Sequence, residues 1–446
     1  MSDLVHGWGL VPASACRLRR PDSAPVVAAM LAEAPGRGVI ARGLGRSYGD
    51  AAQNAGGEVL ELTALSRIGG IDPEGRVEVA AGTSLEELMA AALDDGWFVP
   101  VTPGTRQVTV GGAIAADIHG KNHHVDGSFG DHLASIELMT PDGSIHSLTP
   151  DGEGSELFWA TVGGMGLTGM IVSAVIDLIP VDDATMLVDT DRIDDLDSLM
   201  AAMESDDDQY RYSVAWIDAT AHGRGLGRGV LTRGDHAPGP PHTTDHPGPP
   251  WRPARLRVPL TPPVTPLRTT TIRAFNEVKF HSTPRTRRDE RVGIGAFFHP
   301  LDQIEDWNRL YGPRGFVQHQ FVVPPSGAEV VRMALERFSA ASAPSFLAVL
   351  KRMGPANRGL LSFPAEGWTL ALDIPAGVPG LAGMLDQLDE LVLEAGGRVY
   401  LAKDARLDPR TFARMYPTVG TFRELRGRVD PHGLISSDLA RRLQLA

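Results

Sequence analysis

PGTRQVTVGGAIAADIHGKNHH, residues 103–124, decides how the rest of the chain is read. A tight Pro103-Gly104 turn leads to the Gly111-Gly112 pair and a run of small residues. His119-Gly120 then makes a corner, with Lys121, His123 and His124 close behind. Small side chains crowded together keep a backbone clear, so that something large and flat can lie against it.

Upstream, ARGLGRSYGD at 41–50 places Gly43, Gly45 and Gly49 in a loop whose free amides would cradle a pyrophosphate. The spacing is not GxGxxG, and a strand at 59–62 follows where that fingerprint needs a helix. From this loop alone a plain glycine turn is the equal alternative. A short helix at 25–34 and a strand at 38–41 lead into it. Between the two glycine-rich stretches, a strand at 76–81, a helix in TSLEELMAAALDDG and a strand at 97–101 make a βαβ-like passage. Thr83 with Glu86 is read as that helix's capping box. The two loops are therefore expected to be two walls of one cleft. Downstream, LASIELMTPDGSIHSL reads as a hairpin turning at Asp142-Gly143. Gly164, Gly166 and Gly169 do match GxGxxG, but the alternating stretch 170–179 after them is a strand. They are read as a backbone-packing turn, with a third wall of the cleft as the alternative.

A chain of 446 residues with 42% hydrophobic residues has material for two to four domains. A net charge of -13 argues against nonspecific nucleic-acid binding, which needs excess Lys and Arg. Cys16 is the single cysteine, so an internal disulfide, a CxxC redox pair and a thiolate zinc site are all ruled out. A reducing compartment is consistent with that. The first twenty residues lack the pattern of a signal peptide, and no run of about 18 apolar residues suggests a membrane span. Action on a lipid would take place from the surface.

Composition shifts after Pro180. Residues 182–208 are strongly acidic and read as a solvated helical face at a domain entrance. A strand is expected at 210–218, and the proline-rich stretch 236–266 is expected to be a mobile loop without regular structure. Residues 251–291 form a basic island, with ten Lys or Arg against Glu277, Asp289 and Glu290. Stretches such as GFVQHQFVVP and WTLALDIP within 292–373 read as a second α+β module. An amphipathic helix follows at 381–395, then RVYLAKDAR, and a terminal helix after DPHGLISSD. There are no internal repeats.

Taken together, ARGLGRSYGD, PGTRQVTVGGAIAADIHGKNHH, ELFWATVGGMGLTG, WNRLYGP, RVYLAKDAR and VDPHGLISSDLARRL resemble the decaprenylphosphoryl-β-D-ribose 2′-oxidases, a family within the vanillyl-alcohol-oxidase (PCMH-type) flavoproteins. The resemblance runs from about Arg42 to Leu445 and is weak between about Asp182 and Arg291. It implies an α+β fold of two domains. Residues 1–183 and 398–446 would form an FAD-binding domain, and 184–397 an inserted antiparallel-sheet substrate domain carrying a mobile basic loop at about 236–291. It implies FAD contacts from Ala41, Arg42, Gly43, Leu44, Gly45, Arg46, Ser47, Tyr48, Gly49, Gly104, Thr109, Val110, Gly111, Gly112, Ala116, Asp117, Ile118, His119, Ile171 and Tyr400. Related flavoproteins often tether the cofactor through a histidine at the place taken here by Arg46. Arginine cannot form that bond, so noncovalent FAD is expected, with Arg46 or its neighbours offering charge to the pyrophosphate.

Oxidising a secondary alcohol moves a hydride to the flavin while the hydroxyl proton goes to an acceptor. Lys403, in the family's YxAKD position, is expected to contact the reacting hydroxyl, and His119 to line the cleft beside it. Tyr48, Lys121, Trp216, Tyr311, Gln318, Gln320 and Lys351 correspond to family substrate positions. His119, His123 and His124 lack a companion carboxylate pattern, so no metal is expected. Ala371 stands where the family commonly has cysteine, Thr369 where it has asparagine and Val214 where it has serine. The implied substrate is a polyprenyl-phosphate pentose at a membrane surface, oxidised at its 2′-hydroxyl. An NADH-dependent short-chain keto-reductase would be the partner, the pair epimerising ribose to arabinose for cell-wall arabinan. The implied location is cytoplasmic or peripheral on the plasma membrane, with the periplasmic face left open. Two rivals are a flavin oxidase of a soluble sugar, alditol or aldonolactone, and a noncatalytic lipid-phosphate or flavin-binding protein.

Overall fold

In the computed structural model, which describes residues 2–239, 251, 254, 256–341, 343 and 345–445, the two glycine-rich stretches sit between two small sheets. The first sheet orders Asp3–His6, Ala13–Arg19, Glu58–Glu61 and Val39–Arg42. Its last three strands run parallel. The second is antiparallel, in the order Arg76–Ala80, Met170–Asp177, Leu133–Met139, Ile145–Leu148. Alternation of buried and exposed residues along Arg76–Ala80 marks one covered face.

The helix between the loops, Leu85–Asp94, starts one residue later than expected. Ser84, not Thr83, is its N-cap: Ser84 Oγ accepts from Glu87 N at 3.1 Å, and Glu87 returns the bond to Ser84 N at 2.8 Å. Thr83 is unavailable because its hydroxyl accepts from Arg67 N at 3.0 Å. The strand expected at 97–101 is confined to Trp97–Phe98, which pairs with Ile179–Pro180.

The larger sheet has eight strands in the order Thr286–Gly293, Thr185–Ile193, Gly229–His236, Tyr212–Ile217, Ala348–Met353, Gly367–Pro375, Phe316–Val323, Arg398–Val399. All its pairings are antiparallel. The acidic stretch is not simply a solvated helix. Its first half is the strand Thr185–Ile193, and the helix Leu196–Asp206 follows. The strand lies beside Thr286–Gly293, which carries Arg287, Arg288 and Arg291 of the basic island, so the two charge runs meet there. Arg288 pairs with Asp191 at 2.9 Å, Arg291 with Asp183 at 3.7 Å and Arg285 with Asp194 at 3.7 Å. Unpaired like charges along either edge would repel, and the register cancels them.

Residues 240–250, 252, 253 and 255 of the proline-rich stretch lie outside the described residues. Its described part includes a two-residue strand, Leu256–Arg257, parallel to Ile304–Glu305, so that part is not wholly irregular.

The C-terminal segment closes the first sheet. Val39 bridges Ile435 in parallel fashion, with Val39 N donating to Leu434 O and Ser436 N to Val39 O. Arg442 clamps buried Asp50 through two bonds of 2.9 and 2.8 Å and reaches Asp404 at 2.8 Å. Cys16 is buried and unpaired in this sheet.

Candidate active site

One cavity runs between the two small sheets and the face of the large one. Ala41–Tyr48 form one wall. Gly104, Thr109, Gly111, Gly112, Ala116, Ile118 and His119 form the second, and Met165, Gly166, Gly169 and Ile171 a third. The Gly164/166/169 turn is therefore both of the things it was read as. A Cβ on Gly169, where φ is +155°, would stand 2.5 Å from Met139 O, so packing alone demands glycine there. The walls approach closely: a Cβ on Gly43 would stand 2.1 Å from Thr109 Oγ1.

The amides of Leu44, Gly45, Arg46 and Ser47 donate to no acceptor among the described residues, although all four residues line the cavity. A row of open N–H groups on a glycine loop is an anion cradle, and a dinucleotide's pyrophosphate suits it. Among the described residues Asp302 is the one carboxylate residue lining the cavity. These walls fit an FAD.

The opposite end is built by the large sheet. Neighbouring strands put Gln318, Gln320, Lys351 and Ala371 on one face, with Gln320 opposite Ala371 and Lys351 opposite Thr369. Lys403 ends a short 3-10 turn, Leu401–Lys403, held by Lys403 N donating to Tyr400 O at 2.9 Å. Its Nζ lies 4.0 Å from the centre of the Tyr48 ring, and Tyr48 N donates to Ala402 O at 2.9 Å. The glycine loop and the Lys403 turn are thus fastened backbone to backbone.

His119 Nδ1 is 3.0 Å from Lys351 Nζ, and its Nε2 is 2.9 Å from Gln320 Nε2. Burial, helped by Lys351, pushes the imidazole well below its usual pKa, so it is neutral and has one donor and one acceptor. With Gln320 donating to Nε2, Nδ1 carries the proton and Lys351 accepts it as an amine. Turning the Gln320 amide over reverses both roles. Burial lowers Lys351 to about 7, so both arrangements are accessible near neutrality. Tyr400 donates its hydroxyl to Ala116 O at 2.8 Å and stacks on Phe363 at 4.6 Å, fixing the floor beside His119.

Behind Gln318 sits Asp373, fully buried, whose Oδ1 accepts from the Gln318 amide and whose Oδ2 has no partner among the described residues. Burial raises Asp373, while the nearby Lys403 charge partly opposes the rise. Burial likewise lowers Lys403, and Asp373 partly opposes that.

Six expected site residues do not line the cavity. Gly49 is packed against Asp404 O, and Val110 is core. Asp117 turns its carboxylate away from the cavity, to Gly130 N at 2.9 Å, Ser128 at 2.8 Å and Asn357 at 2.9 Å. Lys121 donates to Phe297 O and lies 4.1 Å over that ring. Trp216 packs under Lys279 with Val230 and Phe280, and Tyr311 stacks on Phe316 at 4.0 Å. All six belong to the support of the walls. Conversely, Trp8, Asp302 and Trp307 line the cavity and Asp373 backs it, without having been singled out. WNRLYGP carried the only advance signal for Trp307. Among the described residues no group of three or more His, Cys, Asp or Glu could hold a metal ion.

Comparison with known proteins agrees with this geometry. A family model described as FAD binding domain matches residues 17–149, and one described as D-arabinono-1,4-lactone oxidase matches 376–443. Decaprenylphosphoryl-beta-D-ribose oxidase of Mycolicibacterium smegmatis is 45% identical over 99% of this chain and 97% of its own. An uncharacterized protein in the mprA 5′ region of Streptomyces coelicolor is 40% identical over 81% of this chain and all of its own. D-lactate dehydrogenase of Anaerostipes hadrus is 28% identical over 30% of this chain and 29% of its own.

Proposed function

This chain belongs to the decaprenylphosphoryl-β-D-ribose oxidase family, and from that premise we propose that it oxidises the 2′-hydroxyl of a polyprenylphosphoryl-β-D-ribose to the 2′-keto sugar. It is an FAD-dependent oxidoreductase of the CH–OH class. The observation that carries the reading is one cavity with open loop amides at 44–47 on one side and Lys403, Lys351 and His119 on the other.

Bound FAD supplies the hydride acceptor. The open amides of Leu44–Ser47 would hold its pyrophosphate, and Arg46, in the place where related flavoproteins tether the cofactor, would leave it noncovalently bound. The other residues of the chain manage the alcohol. Gln318 and Gln320 hold the sugar hydroxyls, and His119, neutral and fixed by Lys351, orients the ring. Lys403 faces the reacting hydroxyl and takes its proton. A lysine brought down by burial is partly an uncharged amine near neutral pH, which a proton acceptor must be. The working test is anaerobic mixing with farnesylphosphoryl-β-D-ribose while flavin absorbance is followed; unchanged absorbance would sink the reading.

A pH prediction follows from Asp373. Its negative charge supports the charged form of Lys403, so Asp373→Asn lets the Lys403 pKa fall further. The base is active above that pKa. The rising limb of the anaerobic bleaching rate should therefore move to lower pH in the variant, and a limb that stays put removes Asp373 from this role.

The substrate's lipid end favours action at a membrane surface. No helix among the described residues is long and apolar enough to cross a membrane. On the segment 256–278, however, Leu260 is 78% and Val278 68% exposed, with Leu256, Val264 and Phe275 also exposed beside Arg268 and Arg273. Solvent-facing apolar groups next to cations suit an anionic bilayer. Co-sedimentation with phosphatidylglycerol vesicles should fall several-fold in Phe275→Glu/Val278→Glu; equal sedimentation would place the contact elsewhere. A keto-reductase using NADH would complete the epimerisation toward arabinan. The match of 376–443 to a lactone-oxidase model favours one rival, an oxidase of a soluble aldonolactone, which steady turnover with such a sugar would support.

A further inference from the structure

We infer that Arg46 binds the phosphate of the phosphoryl-sugar substrate and leaves the cofactor's pyrophosphate to the loop amides, a deepening that rests on the reading above. Arg46 lines the cavity, and its guanidinium carbon lies 3.8 Å from the centre of the Trp8 ring. Trp8 meets Trp307 edge to face at 5.8 Å, so the guanidinium rests on a ring that is itself held by a second indole. Its Nε is buried without an acceptor, and no ion pair or hydrogen bond occupies its side chain among the described residues.

The acids around it are already held. Asp302 accepts from Arg106 N at 2.8 Å and lies 3.6 Å from that residue's guanidinium. Glu86 pairs with Arg106 at 2.7 Å, and Asp306 with Arg257 at 3.1 Å and Arg309 at 3.3 Å. A planar guanidinium pinned on an indole with its donors open is arranged for a phosphate's oxygens.

The backbone amide of Arg46 belongs to the open row at 44–47, while its guanidinium is turned onto the Trp8 ring, which meets Trp307. The substrate carries its phosphate on the carbon adjacent to the one oxidised, so its cation must stand near Lys403. Arg46 is two residues before Tyr48, the ring beneath Lys403, within about 7 Å of chain. Among the described residues, the other arginines and lysines lining the cavity are Arg42, Lys351 and the proton acceptor Lys403. Arg42 donates to Ala52 O at 3.1 Å and His6 O at 2.8 Å, Lys351 serves His119, and Arg285, Arg288 and Arg291 face acids.

The test compares wild type with Arg46→Met and Arg46→Lys using farnesylphosphoryl-β-D-ribose, with bound FAD measured by absorbance. Loss of a charge-assisted bidentate contact should raise KM about 30-fold, leaving kcat within a few-fold and the FAD content unchanged. Arg46→Lys should restore part of the loss. An unchanged KM overturns the inference, and so does an Arg46→Met protein that has lost its FAD, because the guanidinium would then serve the cofactor. If Arg46→Met does not accumulate folded, Trp8→Leu reads the same site through a smaller rise in KM, and no rise overturns it. Wild-type protein that is not bleached by this substrate sinks the substrate reading itself, a result separate from any difference between the variants.

Discussion

Lys403→Ala is expected to purify yellow and to bleach with farnesylphosphoryl ribose some hundred- to ten-thousand-fold more slowly than the parent, the range for losing a positioned proton acceptor. The colour should persist because the lysine contributes nothing to the amide wall at 44–47, and its backbone N–H to Tyr400 O is independent of the side chain. Lys403→Arg should be nearly as slow, since a guanidinium stays protonated and cannot take a proton. Stopped-flow absorbance under nitrogen measures both. Bleaching at the parent's rate in either variant would assign the proton to another group, His119 being next in line.

Gly49→Val is expected to yield protein without bound flavin, or none that is soluble. A Cβ at residue 49 would lie 1.9 Å from Asp404 O and 2.7 Å from its carbonyl carbon, both backbone atoms. That backbone has nowhere to go. Asp404 Oδ1 accepts from Arg406 N and Leu407 N, each at 2.9 Å, and its Oδ2 is held by Arg442. Forcing the strands of chain apart would separate the glycine loop from the Lys403 turn, at a cost of about 3 kcal/mol or more. Flavin content per polypeptide and the midpoint of urea unfolding decide it; a yellow Gly49→Val of ordinary stability would show that the two segments can part without consequence.

The glycine walls were legible in the sequence because glycine at a close approach leaves a local mark: no other residue tolerates Thr109 against Gly43 or Met139 against Gly169. Charge was read less well. The acidic stretch at 182–208 was read as a solvated helical face, but its first half is the strand Thr185–Ile193, beside the strand Thr286–Gly293 that carries Arg287, Arg288 and Arg291. That pairing is set by a sheet register linking residues about a hundred apart. Composition carries no trace of such a register. The misplaced cap has a smaller cause of the same kind, since Thr83 is taken by Arg67, sixteen residues away. Lys121, Trp216 and Tyr311 carry side chains fit for a ligand, and only packing shows that Phe297, Lys279 and Phe316 already occupy them. Asp373 was silent for the opposite reason, because a lone acid in an apolar strand has no pattern until Gln318 and Lys403 surround it.

The bridge from Val39 to Ile435 has a consequence for biosynthesis. During translation the parallel strand beside the glycine loop waits, with an open edge, for almost four hundred further residues to leave the ribosome. The nascent chain cannot complete that sheet early, so the glycine loop beside it gains its full support for the flavin only once residue 435 has emerged.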